Sequence, residues 1–212
     1  MSRRVVVVDT GLGNLRSVVR ALEEAGRRGG LSATVTIEAS PDAVRAADAI
    51  VVPGQGAFRD CARALDAGLG AALRETIAGG TKYLGLCLGL QVLFESSEEA
   101  PGCAGLGIFR GPVRKLVSQA DASGRPLKVP HVGWNLVEPT AHRGLLSPSE
   151  EHFYFVHSFV VVPEDESIVA GTTTHGERFV SAVMRDNVMA VQFHPEKSQA
   201  AGLALLERFL RW

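Results

Sequence analysis

The stretch Gly85-Leu86-Cys87-Leu88-Gly89 constrains this chain more than any other. Tyr83 to Leu86 reads as a buried strand, and Leu88 to Ser96 reads as a helix that starts at once. Such a junction needs a tight turn, and glycines two residues to either side keep Cβ atoms out of the neighbouring strand and helix. The residue on the turn is a cysteine. At a helix N-terminus its thiolate is favoured by the positive end of the dipole. The Leu88 N–H is aimed at any oxyanion that forms there. The pattern predicts a nucleophile on a strand–turn–helix elbow, against the blander reading of a buried core thiol. Cys61 and Cys103 lack this context and read as core or surface thiols.

The elbow sits in a matching pattern. Arg4 to Val8, Thr34 to Glu38 and Ala49 to Val52 read as strands. Between them Leu15 to Arg28 has apolar residues near a 3.6 period, ending at Gly29-Gly30. Ser40-Pro41-Asp42 marks another helix start, and Leu65 to Ala78 a further helix. This alternation predicts an α/β fold with a central, mostly parallel sheet flanked by helices. After Phe109 strands dominate: Val113 to Val117, Leu127 to Val129, Phe153 to Val162, Ile168 to Thr173, Phe179 to Arg185 and Val188 to Phe193. Turn signals at Ser123-Gly124 and Asp186-Asn187 separate some of them, and Leu203 to Leu210 closes the chain as a helix. With no linker in view, residues 1–212 read as one domain whose second half adds antiparallel strands to the sheet.

Composition removes whole classes of function. The chain has 22 Lys and Arg against 23 Asp and Glu, so no basic footprint for nucleic acid exists. The apolar runs are too short for a membrane span, and no signal peptide opens the sequence. Three cysteines without CxxC spacing argue against a structural zinc site and for free thiols in a reducing, cytoplasmic compartment. No metal or cofactor is expected. Gly11-Leu12-Gly13 resembles the start of a dinucleotide fingerprint, but Arg16 stands where the third glycine belongs.

A cysteine nucleophile needs a base, and six histidines compete. His194 stands out because it ends a strand within Gln192-Phe193-His194-Pro195-Glu196. Pro195 biases His194 towards extended backbone, where residues two apart point to the same side, so Glu196 can fix the imidazole. Val52-Pro53-Gly54-Gln55-Gly56 also follows a buried strand, and the N–H of Gly54 or Gln55 is a candidate second oxyanion donor.

Taken together, the Cys87 elbow with Gln91 and the His194-Pro195-Glu196 turn resemble the class I, triad-type glutamine amidotransferases. Pro53 to Phe58, His131-Val132-Gly133-Trp134-Asn135, Tyr154-Phe155-Val156-His157-Ser158 and Gln192 to Ser198 occur in order. With Asp9 to Asn14 they are similar to the glutaminase subunits of imidazole glycerol phosphate synthase, from histidine biosynthesis. The resemblance implies that Cys87 attacks the side-chain amide of glutamine, that His194 carries the proton to ammonia and that Glu196 orients His194. It gives Gly54, Gln55 and Leu88 to the oxyanion hole, with a Gly54–Gln55 peptide that reorients on activation. Gln91, Glu99, Ser158 and Phe159 become substrate contacts. Asn14, Trp134, Asn135, Tyr154, His157 and Lys197 fall near the partner interface or the ammonia entrance. The implied partner is a separate cyclase subunit, a (β/α)8 barrel, forming a heterodimer. That partner uses ammonia to make imidazole glycerol phosphate and an aminoimidazole carboxamide ribotide.

Two departures from the family pattern stand out. Gln55 occupies a position often held by a small aliphatic residue, and Phe159 one where tyrosine is frequent. Competing readings are an amidotransferase of the same class feeding another pathway, a stand-alone cysteine hydrolase, and a non-catalytic binding module. The motifs around His131 and Tyr154 weigh against the first, Gln91 against the second, and the intact triad against the third. The triad and its loops use nearly all 212 residues, which leaves the ammonia-consuming step to another chain.

Overall fold

The computed structural model describes every residue except 1, 67, 118, 119, 121–123 and 125. Among the described residues twelve strands form one mixed sheet. Its first half is built from β1 (Arg3–Val8), β2 (Ala33–Glu38), β3 (Ala49–Val52) and β4 (Lys82–Leu86), all parallel in the order β2-β1-β3-β4. β12 (Val188–Val191) continues the parallel set beside β4. Beyond it β11 (Glu177–Arg185), β10 (Val169–His175), β7 (His131–Pro139) and β8 (Glu151–His157) follow antiparallel. A branch of β5 (Ser96–Ser97), β6 (Pro112–Lys115) and β9 (Phe159–Val161) joins through β9 to β11.

The inner parallel strands β1, β3, β4 and β12 are apolar over their buried lengths because both sheet faces are covered there, whereas the edge strand β2 is partly exposed. Along β1 the side chains alternate: Val6 and Val8 enter one core, Val5 and Val7 the other. The first core lies under α2 (Pro41–Arg45), α3 (Phe58–Asp66) and α4 (Leu69–Ala78), with Val44, Phe58 and Leu73 packed in. The second lies under α1 (Leu15–Gly29) and α6 (Gln199–Arg211), with Leu22, Leu206 and Phe209 fully buried. Gly30 caps α1 in the left-handed conformation at φ 63°.

Several elements differ from their sequence-based prediction. One helix was expected over Leu65 to Ala78; instead α3 and α4 are separated at Gly68, whose φ is 95°. The helix opened by Leu88 ends at Gln91 as α5 (Leu88–Gln91). Its continuation fails because the carbonyls of Val92 and Leu93 accept from Leu106, Ile108 and Phe109, which takes them out of any helical ladder. The long strand expected over Phe153 to Val162 breaks at Ser158, since β8 pairs with β7 while β9 turns to β6 and β11. Leu127 to Val129 forms no strand. Pro126 and Pro130 flank it, and proline lacks the ladder donor. The nine-residue β7 was not foreseen, because Gly133 and Asn135 disturb its β-branched pattern. The expected turn at Ser123-Gly124 lies partly outside the described residues, as does Ala67 in the former helix. Among the described residues no helix is long and apolar enough to cross a membrane.

The elbow is locked by close approach. A Cβ on Gly85 would overlap the Gly89 carbonyl, and one on Gly89 would overlap the Val52 carbonyl of β3. The Gly89 carbonyl also accepts from the buried Tyr83 hydroxyl at 2.8 Å. Gly89→Ala should therefore destabilise the fold by about 1–3 kcal/mol or more, since backbone cannot yield as a flexible side chain would. A thermal melt should fall by roughly 2–4 °C per kcal/mol. An unchanged melt would contradict the packing.

Candidate active site

Cys87 occupies the turn between β4 and α5 with φ 54° and ψ −102°. A non-glycine residue in this region is strained, and the surrounding sheet holds it there. Its N–H donates to the Val191 carbonyl of β12 at 2.8 Å. The thiol opens onto a cleft of about 270 Å³ whose walls include Gln55, Gln91, Glu99, Ser158, Phe159 and Lys197. That volume sits just below the range of drug-sized sites and suits a ligand of amino-acid size.

His194 follows β12 with extended backbone, φ −109° and ψ 93°. The chain then coils into a single 3-10 turn, Pro195 to Lys197. Glu196 thus reaches His194 by a turn, not along the extended chain that the sequence pattern implied. The result is close contact all the same: Glu196 Oε1 lies 2.9 Å from His194 Nδ1, with both side chains buried. Burial acts to lower the His194 pKa, but the neighbouring Cys87 and Glu196 favour the protonated ring and together raise it to about 9. Nε2 is buried and has no hydrogen-bond partner among the described residues. With Nδ1 engaged by the carboxylate, Nε2 is the atom left to serve Cys87. Ser198 fastens the turn, donating from its hydroxyl to the His194 carbonyl at 2.6 Å and accepting from Tyr154 N–H at 3.0 Å.

The oxyanion loop shows its acceptor side. The Gly54 carbonyl accepts from Leu88 N–H at 3.5 Å. In a trans peptide the N–H points opposite to the C=O, so the Gln55 N–H is directed away from Leu88. Of the expected donors, Leu88 N–H is engaged and Gln55 N–H is turned away. The Gln55 side chain instead reaches the histidine, with Nε2 3.5 Å from His194 Nδ1.

The remaining expected residues divide by burial. Gln91 is buried, and its Nε2 donates to the Phe159 carbonyl at 3.2 Å and to Gln192 Oε1 at 3.1 Å. Both its hydrogens are engaged, so only Oε1 is left to meet a ligand. Glu99 lines the cleft and accepts from Phe58 N–H at 2.9 Å, at the start of α3. Lys197 stands at the same cleft, half-buried. Trp134 is 47% exposed, not a core indole, and meets Tyr154 edge to face at 6.0 Å between centroids. Register pairs Trp134 with Tyr154 and Val132 with Val156, so an exposed apolar patch covers this face of the β7–β8 hairpin. Asn14 is exposed and caps α1, accepting from Ser17 N–H at 3.2 Å. Asn135 is half-buried and donates to the Thr174 carbonyl at 2.9 Å. His157 departs from expectation. It is only 5% exposed, lines the same cleft as Cys87 and bonds the Phe159 carbonyl at 3.0 Å.

Sequence reasoning missed Gln192, whose Nε2 lies 3.5 Å from Cys87 Sγ. The available signal was a polar residue inside an otherwise apolar strand end. Cys61 behaves as the core thiol expected of it, with burial pushing its pKa up to about 12. Among the described residues no group of side chains could hold a metal ion.

With this geometry stand the similarities to known proteins. The sequence matches the family described as "Glutamine amidotransferase class-I" over residues 6–211. A solved structure titled "Crystal structure of glutamine amidotransferase" superposes with a TM-score of 0.69 at 22% identity, covering 97% of each chain, and so shares the fold. The chain belongs to the class-I glutamine amidotransferase family. Two curated relatives place it more narrowly, among the proteins named imidazole glycerol phosphate synthase subunit HisH. That of Nitrosomonas europaea is 47% identical and covers 98% of both chains. That of Thiobacillus denitrificans is 48% identical, over 100% of this chain and 92% of its own.

The raised His194 pKa has a consequence for stability. The protonated ring is favoured in the folded chain, so its contribution is complete below the unfolded value of 6.5. It is lost as pH rises through about 9. Denaturant unfolding should therefore show stability falling between these values, with a smaller fall in Glu196→Gln. NMR should find the His194 midpoint lower in that variant. An unmoved midpoint would sink the ion-pair assignment.

Proposed function

We propose that this chain is the glutaminase subunit of an imidazole glycerol phosphate synthase, using Cys87, His194 and Glu196 as its triad. The observation that carries this is the strained elbow cysteine opening on an amino-acid-sized cleft, backed by a buried His194–Glu196 pair. The Cys87 thiolate attacks the side-chain amide carbon of glutamine. His194, protonated at neutral pH, delivers its proton to the leaving ammonia. A γ-glutamyl thioester remains on Cys87. Water then attacks the thioester as His194 takes its proton, and glutamate leaves. Glutamine and water become glutamate and ammonia, with the enzyme restored.

The substrate's polar ends match the cleft walls. Glu99 offers a carboxylate to the α-ammonium, Gln91 offers its Oε1, and the Ser158-Phe159 segment supplies backbone along one side. Leu88 N–H and Gln55 N–H serve the oxyanion once the Gly54–Gln55 peptide turns over. In the resting orientation Leu88 is occupied and Gln55 faces away. Loss of a single oxyanion donor costs about 10²–10³ in rate, so the resting orientation of this peptide alone would hold basal activity low.

The ammonia passes to a separate cyclase subunit, a (β/α)8 barrel. That subunit forms imidazole glycerol phosphate and an aminoimidazole carboxamide ribotide. The exposed Val132, Trp134, Tyr154 and Val156 face is the apolar centre of the contact, with Asn14, Asn135 and Lys197 as polar neighbours. Charge supports a protein partner over nucleic acid, since acidic and basic residues nearly cancel.

Two measurements test this reading. Ammonia release from glutamine should be slow for the chain alone and rise at least about 10²-fold with the cyclase and its nucleotide ligand. Cys87→Ala should abolish it. Ligand-independent hydrolysis of peptides or esters would instead favour a stand-alone hydrolase. Trp134→Ala should raise the dissociation constant for the cyclase by at least about tenfold, as loss of a central aromatic anchor does, while leaving the melting temperature nearly unchanged. An equal loss of stability and binding would contradict an interface role.

A further inference from the structure

Gln192 has no role in the steps above, yet it is fully buried beside the nucleophile. Its position follows from register. β12 runs parallel to β4 with Val191 opposite Leu86, so the next residues, Gln192 and Cys87, stand side by side. The Nε2 of Gln192 donates towards Cys87 Sγ at 3.5 Å.

The orientation of this amide is fixed by groups other than the sulfur. The Phe159 carbonyl is an acceptor only, with two lone pairs. It receives Gln91 Nε2 at 3.2 Å and His157 Nδ1 at 3.0 Å. Gln91 Nε2 gives its second hydrogen to Gln192 Oε1 at 3.1 Å. With Oε1 accepting, the Gln192 Nε2 is left facing the sulfur. The same carbonyl fixes the histidine tautomers. His157 carries its proton on Nδ1, so Nε2 accepts from His131 Nδ1 at 3.0 Å. His131 Nε2 then accepts from Asn135 Nδ2 at 3.2 Å. Protonating either ring would set two donors face to face. Burial pulls His131 down to about 3 and His157 down to about 4, which keeps both rings neutral.

We propose that Gln192 positions the Cys87 sulfur by donating a hydrogen bond to the thiolate. The Phe159 carbonyl, acting through Gln91, locks its amide in the donating orientation. This deepens the glutaminase reading and rests on Cys87 being its nucleophile. A neutral amide suits the task. It stabilises the anion and fixes its direction, but it neither accepts the thiol proton nor competes with His194 as base. Gln91 acts through Gln192 and is a positioning residue in this respect.

The test reads the sulfur itself. Alkylation of Cys87 by iodoacetamide is followed across pH on the full chain, with each cysteine resolved by peptide mass spectrometry. Neither glutamine nor a partner is needed. Gln192→Leu should slow alkylation at pH 7 by about threefold to tenfold, the worth of one hydrogen bond, and move the profile midpoint upward. Gln192→Glu, which presents an acceptor, should lose more, and His157→Phe should shift the profile less. A purely structural role would lower the melt and leave the midpoint in place, and that result overturns the proposal. Should Gln192→Leu not fold, NMR of the unmutated chain serves. Alkylating Cys87 should shift the Gln192 side-chain amide and not that of Asn187, which is bound to the Ile77 and Thr81 carbonyls. A silent Gln192 amide overturns the proposal. A chain in which Gln192 behaves as expected but glutamine is never hydrolysed would overturn the glutaminase reading alone.

Discussion

Everything at this site depends on one steric constraint: the backbone of the elbow passes so close to itself and to β3 that Gly85 and Gly89 admit no Cβ. That closeness forces Cys87 to positive φ and turns its side chain out of the sheet into the cleft. The strain is held by parallel strands on both sides of β4, by the Tyr83 hydroxyl on the Gly89 carbonyl, and by Cys87 N–H on Val191. A core buried on both faces of the sheet makes the arrangement rigid enough to persist. β12 delivers the rest of the machinery. Its pairing with β4 sets Gln192 beside the sulfur, and its continuation carries His194 and Glu196 to the same place.

The site is assembled but not armed. His194 and Glu196 are in contact, while the Gly54–Gln55 peptide presents its carbonyl to Leu88 N–H, where the proposed reaction would need an N–H. The proposed nucleophile and base are built at the ends of sheet strands, and the proposed oxyanion donor sits on a glycine-flanked loop. In the proposed mechanism a peptide turn in that loop would change the rate without disturbing the core. The exposed Val132–Trp134–Tyr154–Val156 face lies on the hairpin whose backbone also fastens the His194 turn through Tyr154 and Ser198. A partner docked on that face therefore contacts the same strand that holds the base.

Legibility from sequence followed the physics of each element. The runs at β1, β3 and β4 were plain because strands buried on both faces must be apolar, and Ala49 to Val52 was bounded as found. The elbow was plain because its glycines answer a local steric need. What escaped was decided by distant contacts. α5 stops early because loop residues 105–109 capture the carbonyls of Val92 and Leu93. β7 hides because its pairing with β8, not its propensity, makes it a strand. Of the site, Cys87, His194 and Glu196 were visible as motif residues. His157 read as a residue near the partner interface or the ammonia entrance, and the fold shows it buried in the cleft wall and bonded to backbone; Gln192 gained meaning only from the register of β12 against β4.

The central claim is that Cys87 forms a covalent bond to the glutamyl carbonyl within this elbow. Rapid quenching of the chain with glutamine, cyclase and nucleotide ligand, followed by peptide mass spectrometry, tests it directly. A γ-glutamyl group should appear on the peptide that holds Cys87 and on no other, and should be lost when glutamine is exhausted. Glutamine hydrolysis with no adduct at Cys87, or with the adduct on Cys61 or Cys103, would contradict the account.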